Sequence, residues 1–370
     1  MTSDHPAYEA LTQNRPAHWP QPIDSVESLH DHLHTAMMLE HATIPAYLTA
    51  MYSLKAPDDS DAALVIRSVV VEEMLHLTLA GNVLNAVGGT AKLTDPRFIP
   101  KYPTRLPHSA NRFEVSTARF CPETVKTFME IEHPAEGDEP VPQPDQYDTI
   151  GQFYLAIMQG IDQLLHQMDE TKLFCGDPSH QIRPEDYYGS GGGIIAVRDR
   201  DSAFDAINEI IEQGEGAWER HPLTGKDHRN IWEDPDGDIG SVHDQAAHYF
   251  RFDEILRGRY YDPGDQAGYP TGERLRMDWD DVWPIRANSR ASDFPESSEI
   301  RERLDDFNRS YMRFLDVLQE AFTGKPKRIR DSVPMMYDLK YQAQAIARIP
   351  IPGSDEHVGP SWEWVPDWLR

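Results

Sequence analysis

The chain has 370 residues, 39% hydrophobic and 26% charged, the balance of an ordinary globular protein long enough to bury a large core. Its formal net charge of -27, from 62 acidic against 35 basic residues, repels phosphate backbones and anionic lipid, which argues against nucleic acid and membrane surfaces as partners. Its two cysteines, Cys121 and Cys175, lie far apart and outside any C-x-x-C pair, which excludes a disulfide framework and a thiolate metal site.

Residues 1–24 form an N-terminal arm, polar and proline-rich, without the apolar stretch of a secretory signal. No apolar run approaches the roughly 20 residues needed to cross a bilayer, so a cytoplasmic location is expected. The first helix is expected from Asp24 to Leu54. Its stripe reads Val26, Leu29, Leu33, Met37, Glu40, Ile44, Tyr47 and Met51, in steps of three and four. Asp24 or Ser25 can cap its start, and Pro45 should kink it one turn past Glu40. The second helix, Ser60 to Val87, carries Ala62, Ile66, Val69, Glu73, His76, Ala80 and Val83 on its stripe and stops at Gly88-Gly89. The short connection between the two makes them an antiparallel hairpin.

A proline-rich stretch with little periodicity runs from Thr90 to Asp148, and a helix from Thr149 to Lys172 follows. A third bundle helix is expected at Asp201–Glu215 and a fourth at Ser241–Arg257. Tyr260–Ser298 looks irregular, and two further helices, Ser298–Thr323 and Val333–Arg348, precede a tail at 351–370. No strand pattern competes. The expected fold is all-α: a four-helix bundle at 25–350, with insertions at 90–148 and 260–298 and additional C-terminal helices.

Ionisable residues interrupt both stripes of the hairpin at mid-helix, where a core face should be apolar. Buried carboxylates are costly unless they pair or bind a metal. Glu40 lies 17 residues before Pro57 and Glu73 lies 16 after it. At about 1.5 Å per residue both sit about 25 Å from the turn, at one height. His76 follows Glu73 by three residues on the same face. A Glu facing a Glu-x-x-His is half of a di-iron or di-manganese bundle site. The other half is less regular. Glu215, on the line of Phe204, Ile211 and Trp218, is the better inward ligand, with Glu212 as the alternate. His248 is the expected ligand of the fourth helix, and Glu254, six residues on, cannot share its face on a straight helix.

Several motifs resemble a known family. Leu39-Glu40-His41-Ala42-Thr43-Ile44-Pro45-Ala46-Tyr47-Leu48, Glu72-Glu73-Met74-Leu75-His76, Glu212-Gln213-Gly214-Glu215-Gly216 and the run from His248 to Ile255 are similar to signatures of a bacterial ferritin-like family. That family is named for the iminophenyl-pyruvate dimer synthase domain, found within chromopyrrolate synthases of violacein- and rebeccamycin-type pathways. The resemblance covers most of residues 25–350. It implies a ferritin-like bundle and oxidative chemistry on amino-acid-derived imines, including imine dimerisation, in secondary metabolism. The resemblance does not extend to the large further region of those synthases, so the metal half-site is what is expected to carry over.

The expectation is thus a non-haem metal-dependent oxidoreductase. It would hold one or two iron ions, or manganese, through Glu40, Glu73, His76, Glu215, His248 and Glu212. It would act on a small molecule with O2 or peroxide, with homo-oligomerisation left open. The alternatives are a metal-binding protein without turnover and a metal-free helical scaffold. His30, His34 and His41 read as partly exposed polar-face residues beside the Glu40 stripe. The glycine-rich run 188–193 reads as a flexible loop. Trp362, Trp364 and Trp368 read as a packed tail.

Overall fold

Capping and burial account for where the central helices begin and what they touch. In the computed structural model, which describes residues 23–106, 114–133, 149–187, 192–214, 246–262 and 264–369, helix α1 spans Val26–Tyr52 and α2 spans Asp61–Ala86. Ser25 caps α1 through a hydrogen bond from Ser28 N at 3.2 Å, and Ser60 caps α2 through Ala63 N at 3.4 Å. Gly88, at φ +80°, takes the left-handed conformation that ends the second. The α1 helix continues past Pro45, which is buried. Both helices are buried nearly all round, the condition of helices packed on more than one side.

The remaining helices supply those sides. They are α3 (Pro122–Ile131), α4 (Ile150–Leu165), the single turn α5 (Glu170–Leu173), α6 (Arg200–Gly214), α7 (His248–Arg257), α8 (Glu299–Phe322) and α9 (Ile329–Ala347). Packing closes α1, α2, α6 and α4 into a ring, the four-helix bundle. Helices α3 and α7 pair with each other, and α7 lies against α2. On the opposite side α8 and α9 form a second hairpin, with α9 against α1 and α8 against α2. Gly81 permits that approach, because a Cβ there would lie 2.5 Å from Phe322 Cε1. No strand occurs among the described residues, only isolated bridges.

Four expectations change. The fourth member of the ring is α4, which ends at Leu165 rather than Lys172, while 248–257 pairs outside the ring with α3. Helix α3 lies inside the stretch expected to be irregular. His41 is buried rather than on a polar face, its Nε2 2.7 Å from Tyr311 Oη. His30 and His34 are half-buried. Trp362 packs in the core and donates to Thr49 Oγ1 at 2.9 Å, whereas Trp368 is exposed. Residues 188–191 of the glycine-rich run lie outside the described residues.

Candidate metal centre

The stripe interruptions meet inside the molecule. Glu40 comes from α1, Glu73 and His76 from α2, and His76 Nδ1 lies 3.6 Å from Glu40 Oε2 and 3.9 Å from Glu73 Oε1. On the other side of Glu73 stand His248, the first residue of α7, and Glu132, the C-cap of α3. His248 Nδ1 is 2.9 Å from Glu73 Oε1 and 3.4 Å from Glu132 Oε2. Two buried triads result, Glu40–Glu73–His76 and Glu73–Glu132–His248, with Glu73 common to both. All five side chains are at most 2% exposed.

The triads share a hydrogen-bonding plan. One oxygen of each outer carboxylate is engaged by a tyrosine: Tyr154 Oη donates to Glu40 Oε1 and Tyr47 Oη to Glu132 Oε1, each at 2.5 Å. The other oxygen faces an imidazole Nδ1. Each imidazole is held by its far nitrogen, His76 Nε2 at 2.9 Å from Gln213 Oε1 and His248 Nε2 at 2.8 Å from Glu72 Oε2. Gln213 is in turn fixed by its own donation to Glu209 at 2.7 Å. Arg251 reaches both Glu72 oxygens at 2.9 Å and donates to Ser68 Oγ at 3.0 Å. With Nε2 donating outward, each Nδ1 presents its lone pair inward, the arrangement by which outer partners orient metal-binding imidazoles. Thr43 Oγ1 lies 2.8 Å from both Glu73 Oε2 and the Glu40 carbonyl, so its one proton serves either.

Electrostatics show how strongly the cluster needs positive charge. Burial, followed by the nearby Glu132 and Glu40 carboxylates, raises Glu73 to about 7 despite the opposing His248. Burial would lower His248, but Glu132, Glu72 and Glu73 outweigh it and raise it well above the usual imidazole range. His76 is raised for the same reason, with Glu40 overcoming burial. Burial would raise Glu72, but the Arg251 guanidinium and His248 outweigh it and hold its carboxyl low.

The residues fit metal ions. Two ligand atoms about 2.1 Å from one ion and 90–110° apart are themselves about 3.0–3.4 Å apart. The separations of 2.9–3.9 Å between carboxylate oxygens and Nδ1 atoms bracket that value. His248 Nδ1 is moreover a buried nitrogen with no hydrogen-bond partner, although a carboxylate oxygen lies 2.9 Å away. Oxygen and imidazole donors suit iron and manganese.

Of the residues expected from sequence, Glu40, Glu73, His76 and His248 come together. Glu212 does not: the inward face of α6 is Ala203, Ala206, Ile207 and Ile210, and Glu212 is exposed on the far side. Gln213 takes the inward position and binds His76. Glu215 lies outside the described residues. Glu254 is buried but accepts the Tyr261 backbone N–H at 2.7 Å and joins neither triad. Glu132 was missed. Its signal was present, with Pro122 opening a short helix whose Val125, Phe128 and Glu132 fall on one face.

Comparison with known proteins agrees with this architecture. A family model described as Ferritin-like matches residues 33–257. The dichlorochromopyrrolate synthase of Lentzea aerocolonigenes is 25% identical over 332 residues, which are 80% of this chain and 29% of that protein, so the chain spans less than a third of that relative. A ferritin-like protein from Caulobacter vibrioides superposes with a TM-score of 0.58 at 22% identity, over 90% of this chain and 97% of that one, a likeness of fold.

Proposed function

This chain belongs to the ferritin-like family, and we propose that it is a non-haem metal-dependent oxidoreductase acting on a small organic substrate with O2 or peroxide. The observation that carries this is the pair of buried triads sharing Glu73, with His248 Nδ1 held between the Glu73 and Glu132 carboxylates. Glu40 and His76 would hold one ion, Glu132 and His248 a second, and Glu73 would bridge them. With the imidazoles neutral the five side chains carry three negative charges, which would offset most of the charge of two divalent cations. Iron or manganese bound there would supply the redox equivalents for reaction with an oxidant.

The chain's own residues do the rest. Tyr154 and Tyr47 each hold one oxygen of an outer carboxylate, leaving the second free to bind. Gln213 and Glu72 fix the imidazole orientations, and the buried Glu72–Arg251 ion pair keeps His248 in register. Burial of every ligand keeps bulk water from the centre. Similarity to dichlorochromopyrrolate synthase supports a small amino-acid-derived substrate over bulk iron storage. No helix among the described residues is long and apolar enough to cross a membrane.

The test is elemental analysis of protein produced in iron- and manganese-rich medium, paired with O2 and peroxide consumption. Two transition-metal ions per chain with oxidant uptake are expected. Absence of transition metal overturns the proposal, and bound metal that consumes no oxidant reduces it to a metal-binding scaffold.

A further inference from the structure

The two triads have the same kinds of ligand but differ in what stands behind each imidazole. Behind His76 stands an amide, with Nε2 2.9 Å from Gln213 Oε1. The carboxylate on that line, Glu209, is reached only through the Gln213 amide, which donates to it at 2.7 Å. Behind His248 a carboxylate stands directly, with Nε2 2.8 Å from Glu72 Oε2. Gln213 is half-buried, whereas Glu72 is 1% exposed, so solvent screens the Glu72 charge much less.

Arg251 does not cancel this difference. It bonds both Glu72 oxygens at 2.9 Å and is tied to Ser68 Oγ at 3.0 Å and to the Ala246 carbonyl at 2.6 Å. The carboxylate of the pair, not the guanidinium, bonds the imidazole, so its negative end faces His248. An imidazole that donates to a carboxylate is a more basic ligand than one that donates to a neutral amide.

Spacing points the same way. Two donors on one ion lie about 3.0–3.4 Å apart. His248 Nδ1 is 2.9 Å from Glu73 Oε1 and 3.4 Å from Glu132 Oε2, close to that range. His76 Nδ1 is 3.6 Å from Glu40 Oε2 and 3.9 Å from Glu73 Oε1, so that triad must contract around an ion.

We infer that the two ion positions are inequivalent: the Glu132–His248 position fills first and favours the higher oxidation state, and Glu72 is the positioning residue that sets the difference. This rests on the metal reading proposed above and adds an order of filling to it.

Single-position variants test the order, with Co(II) as the probe of affinity. Glu40→Gln leaves Glu73, Glu132 and His248, and Glu132→Gln leaves Glu40, Glu73 and His76. Each glutamine keeps an acceptor for its tyrosine, and thermal melts verify folding. By calorimetry, Glu40→Gln should bind one Co(II) at least about tenfold more tightly than Glu132→Gln. Adding Glu72→Gln should weaken the Glu40→Gln protein about 10–100-fold and change the Glu132→Gln protein less than about twofold. In iron-loaded Glu40→Gln, the added Glu72→Gln should also raise the Fe(III)/Fe(II) midpoint potential. The rise is about 59 mV for each tenfold by which Fe(III) affinity falls more than Fe(II) affinity, and a residue that only shaped the site would leave the potential in place. Equal affinity in the two single variants, tighter binding in Glu132→Gln or an unmoved potential overturns the inference and leaves the metal centre standing. If a single variant fails to fold, the titration of otherwise wild-type protein decides: Glu72→Gln should weaken the tighter of two Co(II) steps, and two unchanged steps overturn the inference. Wild-type protein that binds no Co(II) overturns the metal centre itself, and the inference with it.

Discussion

Replacing Glu73 with glutamine separates a metal centre from a structural ion network, because the two demand opposite signs of effect. In metal-free protein, burial and the adjacent carboxylates raise Glu73 from 4.5 to about 7. A carboxyl whose folded pKa is raised destabilises the fold as pH climbs from the unfolded value through the folded one. The cost is absent below pH 4.5 and complete above about 7. Two and a half pH units correspond to roughly 3 kcal/mol. Glutamine carries no charge and keeps an acceptor for Thr43 Oγ1, at a cost of about 1 kcal/mol for the altered hydrogen bonding. Glu73→Gln should therefore stabilise chelator-treated protein by about 2 kcal/mol at pH 8, a rise in Tm of roughly 2–3 °C, and the gain should fade toward pH 4.5. With iron or manganese at about a hundred times Kd, the wild type should gain about 2.7 kcal/mol, and the variant, lacking the bridge, should gain little. Thermal melts with and without metal at pH 5 and pH 8 supply the four values. If Glu73→Gln lowers Tm in metal-free protein at pH 8, Glu73 is an ionised partner of His248 in a satisfied network, and the metal assignment is wrong.

Further outcomes follow from the same geometry. Glu132→Ala should lower bound metal from two ions to about one per chain while Glu40 and His76 keep theirs, and Glu73→Ala should lower both; mass spectrometry of metal content reads this directly. Arg251→Met leaves the buried Glu72 carboxylate without its guanidinium, so a loss of about 3–5 kcal/mol in chemical denaturation is expected. The less drastic Glu72→Gln should retain the fold and weaken metal binding about 10–100-fold by loosening His248. Metal affinity should rise from pH 6 to pH 8, since Glu73 and both histidines are raised and must release protons to bind; titrations showing no pH dependence would contradict this. Gly176→Ala should cost several kcal/mol, because its Cβ would lie 1.7 Å from the Asn85 carbonyl oxygen and only backbone movement can relieve that contact.

The meeting of Glu40, Glu73 and His76 was legible because its geometry is local. Two capped helices joined by a short turn must run antiparallel, and a constant rise per residue then levels side chains equidistant from the turn. The ionisable interruptions of both stripes marked the buried face. The helical class followed from the same periodicities, together with the lack of any strand pattern.

What tertiary structure alone decided is the second triad and the partner of each face. Glu132 and His248 are separated by more than a hundred residues and meet only because α3 packs on α7, a pairing that no periodicity encodes. The rotation of α6, which turns Gln213 rather than Glu212 toward His76, is likewise set by how Ala206, Ile207 and Ile210 seat in the ring. A sequence stripe shows that a helix has an inside. Which neighbour that inside meets, and whether the two surfaces close or leave a cavity as they do beside α8 and α9, depends on long-range packing and volume, which the order of residues along one helix does not contain.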